Sequence, residues 1–347
     1  MIAVSKLKMS DCKITRREML CVLGRLSLAA LPTTGLLACD RSKESKRILG
    51  NKYQVAIIPC PSYDDKKLLN AINLGWQKTK PPIVRNKKVV IKPNLVEFSI
   101  KRPINTDVRL VKALVRFLQE LGAREVIIAE GSGHQRDTEA VWKKAGYFDL
   151  KNEFGIPLID LNYDDLQIVK TVSYEDSLIK NLYLPKTILS ADLIISVPKM
   201  KTHHWVGVTL SLKNMIGVVP GIKYGWPKNI IHWNGIEKSI VEINATIPTH
   251  YTIVDGVLGM EGDGPIMGST KKVGALVMGN NALSVDAISA SIMGLEPNKI
   301  SYFQTAHENR LGSLKTEDIM LTASRTESFK TDFDLDPEFR HLKATYI

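Results

Sequence analysis

The sequence predicts an α/β protein with a mostly parallel sheet built from βαβ units. From residue 53 onward, short apolar runs alternate with segments in which apolar residues recur at helical spacing. Such alternation is typical of parallel strands joined by crossover helices. The length of 347 residues fits one large α/β domain, and it also fits two α/β lobes with a site between them. The composition, 44% hydrophobic and 24% charged, is that of a globular protein.

Each element of this prediction depends on a local pattern. Apolar runs predict strands at 53–58, 88–91, 124–129, 156–161, 193–197, 251–254 and 273–279. Apolar residues at helical spacing predict helices at 66–77, 108–121, 139–145, 236–247 and 282–293. A polar stretch at 173–184 predicts a hairpin or a loop insertion, and the glycine-dense stretch at 259–265 predicts a loop. The α/β domain therefore spans residues 52–325, and the polar residues 326–347 form a C-terminal surface tail.

The first 38 residues have the pattern of a signal peptide. Arg16 and Arg17 precede an apolar run at 19–38, which is the order found in twin-arginine export signals. The run ends in Leu36-Leu37-Ala38-Cys39, which resembles the lipobox of bacterial lipoproteins. We therefore expect export across the inner membrane, a lipid anchor on Cys39 and a polar tether at 39–51, with the domain facing the periplasm. The alternative is a short amphipathic helix with an incidental cysteine.

Charge and cysteine usage limit the possible partners and cofactors. The net charge of +11 falls to +7 without residues 1–38, because those residues carry six Lys/Arg and two Asp/Glu. The remainder suits a small anionic ligand or an anionic membrane surface, and no nucleic-acid-binding motif accompanies it. The four cysteines include no Cys-x-x-Cys pair, so no resident iron–sulfur cluster is expected. The sequence does not identify any other cofactor, a metal or a protein partner.

Polar residues follow several predicted strands, where ligand sites of open α/β sheets are found. Lysines binding an anion, carboxylates holding those lysines and histidines transferring protons would together make a polar site. The candidates for proton transfer or nucleophilic chemistry are His203, Lys213 and His134. The candidates for ligand binding are Lys92, Asn94, Glu130, Lys199, Lys201, Asn214, Asp255, Glu261 and Asp263.

Several motifs together resemble a bacterial and archaeal family known as domain of unknown function 362. What the resemblance implies is modest, because the family has no assigned chemistry. Some members carry a ferredoxin-type cysteine module, and this chain has no counterpart of it. The matching motifs are Ile91-Lys92-Pro93-Asn94, Glu130-Gly131-Ser132-Gly133, Asp192–Lys199, Lys201-Thr202-His203, Leu212-Lys213-Asn214, Asp255-Gly256, Glu261–Pro265 and Val285-Asp286-Ala287.

Three functional interpretations remain open at the level of sequence. The first is an exported enzyme acting on a small anionic substrate. The second is a non-catalytic lipoprotein that binds a ligand or a metal as an accessory of a membrane redox system. The third is a racemase- or epimerase-like enzyme, because Gly131–Arg136 and Lys213–Gly221 are similar to segments of nickel-pincer lactate racemases.

Overall fold

The computed structural model describes residues 53–133, 137–247 and 249–344. The predicted signal peptide, the anchor at Cys39 and the tether therefore lie outside the described residues, as does His134. Residues 51–347 form a single compact unit rather than two lobes. Among the described residues, no helix is both long enough and apolar enough to cross a membrane.

A ten-stranded mixed sheet organises the domain, with a separate two-stranded hairpin beside it. The strands are β1 (Tyr53–Pro59), β2 (Lys88–Pro93), β3 (Glu125–Glu130), β4 (Leu158–Asp160), β5 (Leu166–Lys170), β6 (Asn181–Pro185), β7 (Leu193–Val197), β8 (Lys199–His203), β9 (Gly207–Thr209), β10 (Tyr251–Glu261), β11 (Ser269–Gly279) and β12 (Ile319–Ala323). The order of the main path is β12-β1-β11-β10-β7-β2-β3-β4, with β8 paired to β10 and β9, while β5 and β6 form the hairpin.

The helices follow the strands along the chain. They are α1 (Asp65–Lys78), α2 (Val108–Glu120), α3 (Thr138–Lys144), α4 (Tyr147–Phe154), α5 (Lys186–Leu189), α6 (Ser211–Asn214), α7 (Gly221–Tyr224), α8 (Asn229–Asn234), α9 (Ile236–Thr246), α10 (Ala282–Ile292) and α11 (Ser301–Glu308). Aspartates cap the first three at their N-termini, as the sequence pattern of such helices leads one to expect.

The predicted fold class is confirmed. Strands β10, β7, β2, β3 and β4 pair in parallel, as do β1 and β12. The antiparallel pairs of this sheet are those of β11 with β1 and β10, and that of β9 with β8. The carboxyl ends of the parallel strands therefore meet at one edge of the sheet, where sequence reasoning expected a site.

Both faces of the sheet are covered, since successive side chains of the central strands point in opposite directions. Val89 and Ile91 pack in one apolar cluster with helices α1 and α2. Val90, between them, packs in another cluster with residues of α8 and α9. Burial on both sides explains why these strands are continuous apolar runs in the sequence.

Strand β10 is longer than predicted, so the loop predicted at 259–265 is wrong over its first half. The strand continues from Tyr251 to Glu261, and β11 pairs with it from Ser269 onward. Gly259 permits this because a Cβ there would lie 2.9 Å from the Met200 carbonyl oxygen of neighbouring β8. The glycine is therefore a feature of close strand packing rather than of a turn.

The C-terminal residues contribute to the core as well as to the surface. Phe333, Leu335 and Leu342 are buried in the apolar cluster that contains α10 and α11. Residues 326–344 consist mainly of short 3₁₀ turns and extended segments. They therefore pack against the domain through these apolar side chains.

Candidate functional site

The candidate site is a cavity of about 110 Å³ at the carboxyl edge of the parallel strands. Lys92 comes from the end of β2, Glu130 from the end of β3, and Lys201 with His203 from β8. Lys213 comes from the short helix α6. Residues far apart in the sequence thus converge because each leaves the same edge of the sheet.

Lys92 and Glu130 form a buried ion pair on one wall. Lys92 Nζ lies 2.7 Å from Glu130 Oε1, and both side chains are almost completely buried. Glu130 also accepts the Gly131 and Leu95 backbone N–H groups, each at 2.9 Å. Gly217 is packed so closely that a Cβ there would clash with both Glu130 Oε1 and Lys92 Nζ. The pair is therefore rigidly held, and Glu130 is already committed to three donors.

Asn214 ties this ion pair to the helix that carries Lys213. Its Oδ1 accepts from Lys92 Nζ at 3.2 Å, and its Nδ2 donates to the Lys92 carbonyl oxygen at 3.0 Å and to Ser196 Oγ at 3.1 Å. At the other end of α6, buried Asp286 accepts the Ser211 and Leu212 N–H groups, each at 2.8 Å. Helix α6 is thus fixed at both ends, which positions Lys213.

Lys201 and Lys228 also line the cavity, and their amino groups donate hydrogen bonds to backbone carbonyl oxygens. Lys201 Nζ donates to Ile104 O at 2.9 Å and to Pro265 O at 3.3 Å. Lys228 Nζ donates to Gly131 O at 2.8 Å, to Gly217 O at 3.0 Å and to Ile216 O at 3.4 Å. Both side chains are completely buried. Carbonyl dipoles solvate an ammonium group in part, but they do not neutralise its charge.

Lys228 is the main residue that sequence reasoning missed. It lies in the irregular segment before α8, with a φ of 71°, and not at the end of a strand. A non-glycine residue in the left-handed region is uncommon and is held by its surroundings. Those surroundings are the three carbonyl oxygens that fix its side chain. The sequence Trp226-Pro227-Lys228 contains no pattern from which this could have been predicted.

The positive charge around the cavity exceeds the negative charge. Lys92, Lys201, Lys213 and Lys228 line it, and among the described lining residues Glu130 is the one acid. Burial lowers the pKa of Lys201 well below its ordinary value, and the neighbouring Lys213 and Lys199 lower it further. Burial lowers the pKa of Lys228 to about 7 and that of Lys213 to about 8. The cavity therefore disfavours its own lysine charges unless an anion is present.

His203 faces the cavity as a neutral imidazole. Burial, and then the charge of Lys213, lower its pKa well below the ordinary value. Its Nδ1 accepts the Trp205 N–H at 3.1 Å, so the ring proton resides on Nε2. The His232 ring packs edge-on against the Trp205 ring, with centroids 4.9 Å apart, and burial lowers the pKa of His232 as well. The histidines therefore add hydrogen-bonding capacity to the site without adding positive charge.

Two buried oxygen atoms in the cavity wall have no partner among the described residues. They are Asn94 Oδ1 and Thr209 Oγ1, and both residues line the cavity. Buried polar atoms in native proteins are nearly always satisfied. A ligand in the cavity could provide the missing hydrogen bonds. Thr209 was not predicted from the sequence because a lone threonine at the end of a short strand carries no pattern.

A larger hollow of about 610 Å³ adjoins the cavity and shares His203, Trp205 and Pro265 with it. Asp263, predicted as a ligand-binding residue, lies in this outer hollow. His204 lines the outer hollow and His203 lines both. Both histidines therefore border the outer hollow, and of the two only His203 also borders the cavity.

Besides Asp263, three of the predicted binding residues are not brought into the cavity. Lys199 and Asp255 pair at 2.6 Å, both fully buried, with Tyr63 donating to Asp255 at 2.8 Å. Glu261 pairs with Lys271 at 2.9 Å and accepts the Asp334 N–H of the C-terminal segment. The structure therefore places these side chains in contacts that hold strands and tail together.

Within the described residues, no group of three or more His, Cys, Asp and Glu side chains is arranged to hold a metal ion. Cys60 is buried after β1, and burial raises the pKa of its thiol to about 11.

Residues 89–291 match the protein family described as Domain of unknown function (DUF362). The chain belongs to this family. The matched region of the DUF362 protein contains all four cavity lysines, together with Glu130 and His203. The lysine cluster of this chain therefore lies within the region that matches the family.

The DUF362 protein is also similar to individual known proteins. It is 27% identical over 234 residues to a thylakoid-associated protein of Synechocystis sp., a match that covers 65% of this chain and 68% of that protein. Its structure is similar to the lactate racemase apoprotein from Thermoanaerobacterium thermosaccharolyticum, with a TM-score of 0.43, 12% identity and coverage of 70% of this chain and 57% of that chain. A protein from Thermotoga maritima matches with a TM-score of 0.34, 15% identity and coverage of 73% and 60%. The chain thus spans about three fifths of each solved structure.

Proposed function

We propose that this DUF362 protein binds a small anionic ligand in the cavity lined by Lys92, Lys201, Lys213 and Lys228. The observation that carries the proposal is the charge imbalance: four lysines face a cavity whose described lining contains one acid, Glu130. Glu130 is committed to Lys92 and two backbone N–H groups. An anion would supply the missing negative charge and raise the lowered pKa values of the lysines.

The hydrogen-bonding capacity left in the cavity supports the same conclusion. An ammonium group has three N–H donors, and Lys201 uses two of them on carbonyl oxygens. Lys213 Nζ has no partner among the described residues, and His203 carries its proton on Nε2. The donors that remain are therefore cationic or neutral N–H groups, which suit carboxylate or oxyanion oxygens. Asn94 Oδ1 would accept from a hydroxyl or amino group of the same ligand.

Binding can be tested with a panel of small anions on the full chain. We expect at least one of propanoate, pyruvate and sulfate to raise the melting temperature, whereas the neutral molecule glycerol should not. The Lys201→Met variant should bind that anion roughly 10- to 100-fold more weakly, because a hydrogen bond to a charged group contributes about 1.5–3 kcal/mol. Isothermal titration calorimetry would measure the affinities.

The matched control is Lys272→Met, which removes a lysine that is exposed on β11. It should leave the affinity unchanged. Equal affinity of Lys201→Met and the wild type would contradict the proposal, and so would the failure of every anion to bind.

We also propose that the chain is exported and held at a membrane by a lipid on Cys39. The order of Arg16-Arg17, the apolar run and Cys39 supports this, as does the thylakoid association in the name of the Synechocystis relative. In cells, Cys39→Ala should move the protein from the membrane fraction to the soluble fraction. Retention of the variant in membranes would contradict the anchor. The Cys60→Ala variant is the control, since that thiol is buried within the domain.

A further inference from the structure

Lys213 differs from the other cavity lysines in having an uncommitted amino group. Lys92 is paired with Glu130 at 2.7 Å, and Lys201 and Lys228 donate to backbone carbonyl oxygens. For Lys213 Nζ, the described residues provide neither a hydrogen bond nor an ion pair, although its helix is held by Asn214 and Asp286. The side chain is thus fixed at its base and free at its reactive end.

The surroundings of Lys213 favour the neutral amine. Burial lowers its pKa to about 8, and the charge of Lys92 contributes. At pH 8 about half of these side chains are neutral, against roughly one in three hundred for an ordinary exposed lysine. Desolvation beside another cation is a known way of making a lysine nucleophilic towards carbonyl carbon.

We infer that Lys213 forms an imine with the carbonyl carbon of a small 2-oxo acid whose carboxylate is held by the neighbouring lysines; this inference rests on the anion-binding function proposed above. The amine and the cationic groups line one small cavity of about 110 Å³. The carbonyl must therefore lie close to the carboxylate, as it does in a 2-oxo acid. A distant carbonyl would require a longer molecule.

The reaction balances without an oxidant or a reductant. The Lys213 nitrogen lone pair attacks the carbonyl carbon, a C–N bond forms, and the carbonyl oxygen takes up a proton to give a carbinolamine. The C–O bond then breaks, the oxygen leaves as water with the two hydrogens that the amine has lost, and a C=N bond remains. His203 Nε2–H is the donor available to the carbonyl oxygen, and Lys201 provides one N–H to the carboxylate.

Reductive trapping tests the inference directly. The full chain is incubated with pyruvate, treated with borohydride and digested for peptide mass mapping. We expect one adduct on the peptide containing Lys213, with a mass gain equal to pyruvic acid less one oxygen atom. The Lys213→Arg and Lys213→Met variants, confirmed as folded by circular dichroism, should lose the adduct, whereas Lys272→Arg should retain it.

The pH profile separates a nucleophile from a residue with a structural role. The initial rate of adduct formation should rise as the pH increases from 6 to 8 and level off above that, following the pKa of about 8. The charged and titratable groups that surround Lys213 are Lys92, Glu130, Lys201, His203, Lys228 and His232. A rate that continues to increase to pH 10 would show labelling of ordinary exposed lysines and overturn the inference.

Propanoate distinguishes failure of this inference from failure of the proposed function. It is an anion of similar size to pyruvate but has no ketone. If both anions stabilise the protein and pyruvate gives no adduct at Lys213, the imine is overturned while anion binding stands. If neither of these anions nor sulfate stabilises the protein, and any adduct is spread over exposed lysines, both proposals fail. An adduct that persists in both Lys213 variants would likewise overturn the assignment.

Discussion

The Lys213→Met variant is expected to be more stable than the wild type at pH 7, by up to about 3 kcal/mol. Folding moves the Lys213 ammonium into a cavity that lowers its pKa from the ordinary 10.5 to about 8. The folded protein therefore bears a cost for every charged Lys213, and methionine removes the charge while keeping most of the volume. Because the side chain is partly exposed, the figure is an upper limit.

Because folding lowers the pKa of Lys213, the stability difference between Lys213→Met and the wild type depends on pH. Below pH 8, Lys213 is protonated in both the folded and unfolded states, so the wild type carries the full cost. Between pH 8 and 10.5 the folded state loses its proton first, and the cost disappears as the pH rises. The advantage of Lys213→Met should therefore be largest near pH 7 and close to zero at pH 10.5.

Urea unfolding of both proteins at several pH values measures this difference, and comparison with the wild type cancels the titration of other groups. Lys272→Met, at an exposed position, controls for the loss of one lysine from the total charge. The same Lys213→Met protein should bind anions more weakly than the wild type. A buried lysine without a counter-ion is the kind of feature found where stability is lost for function. A Lys213→Met variant that is less stable than the wild type at pH 7 would contradict this interpretation of Lys213.

Asp255→Asn is expected to lower the free energy of unfolding by about 3–5 kcal/mol, because it leaves a buried ammonium without its counter-ion. Asp255 Oδ2 lies 2.6 Å from Lys199 Nζ, and both side chains are fully buried. The carboxylate also accepts the Tyr63 hydroxyl at 2.8 Å and the Asp107 N–H at 3.0 Å. It thus joins β10, β8 and the start of α2.

Chemical denaturation of a double variant tests whether the unpaired Lys199 ammonium causes the stability loss of Asp255→Asn. Lys199→Met combined with Asp255→Asn should be more stable than Asp255→Asn alone, since no unpaired buried charge remains. Asp165→Asn removes the partner of Lys186 in an exposed pair of 3.3 Å and should leave the stability nearly unchanged. A small loss in Asp255→Asn, similar to that of the exposed pair, would contradict the structural role assigned to Lys199 and Asp255.

Much of the site was predictable because it follows from the geometry of a parallel sheet. Lys92 and Glu130 end two adjacent strands that pair in parallel, and such ends meet at one edge. Lys201, His203 and Lys213 follow β7, whose position beside β2 brings them to that edge. Continuous apolar runs and apolar residues at the helical spacing of 3.6 were sufficient to predict these strands and the longer helices.

The remainder depends on contacts that no local pattern records. Lys228 reaches the cavity from an irregular segment fixed by three carbonyl oxygens. Lys199 has the same apparent chemistry as Lys201, two residues away, yet it meets Asp255 because β8 pairs with β10. Strand pairing therefore decides that Lys199 forms an ion pair and does not line the cavity. The same pairing extends into residues 259–261, where the glycines predicted a loop.

The uptake of protons on anion binding tests the central claim most directly. Propanoate, which takes up no proton itself near pH 8, is titrated into the full chain at pH 8 by calorimetry in buffers of different ionisation enthalpy. Lys228 and Lys213, whose pKa values are lowered to about 7 and about 8, should become protonated beside the anion. The account predicts an uptake on the order of one proton per ligand at pH 8, falling towards zero at pH 6. Binding without proton uptake at pH 8, or with proton release, would contradict the assignment of the lysine cavity as the anion site.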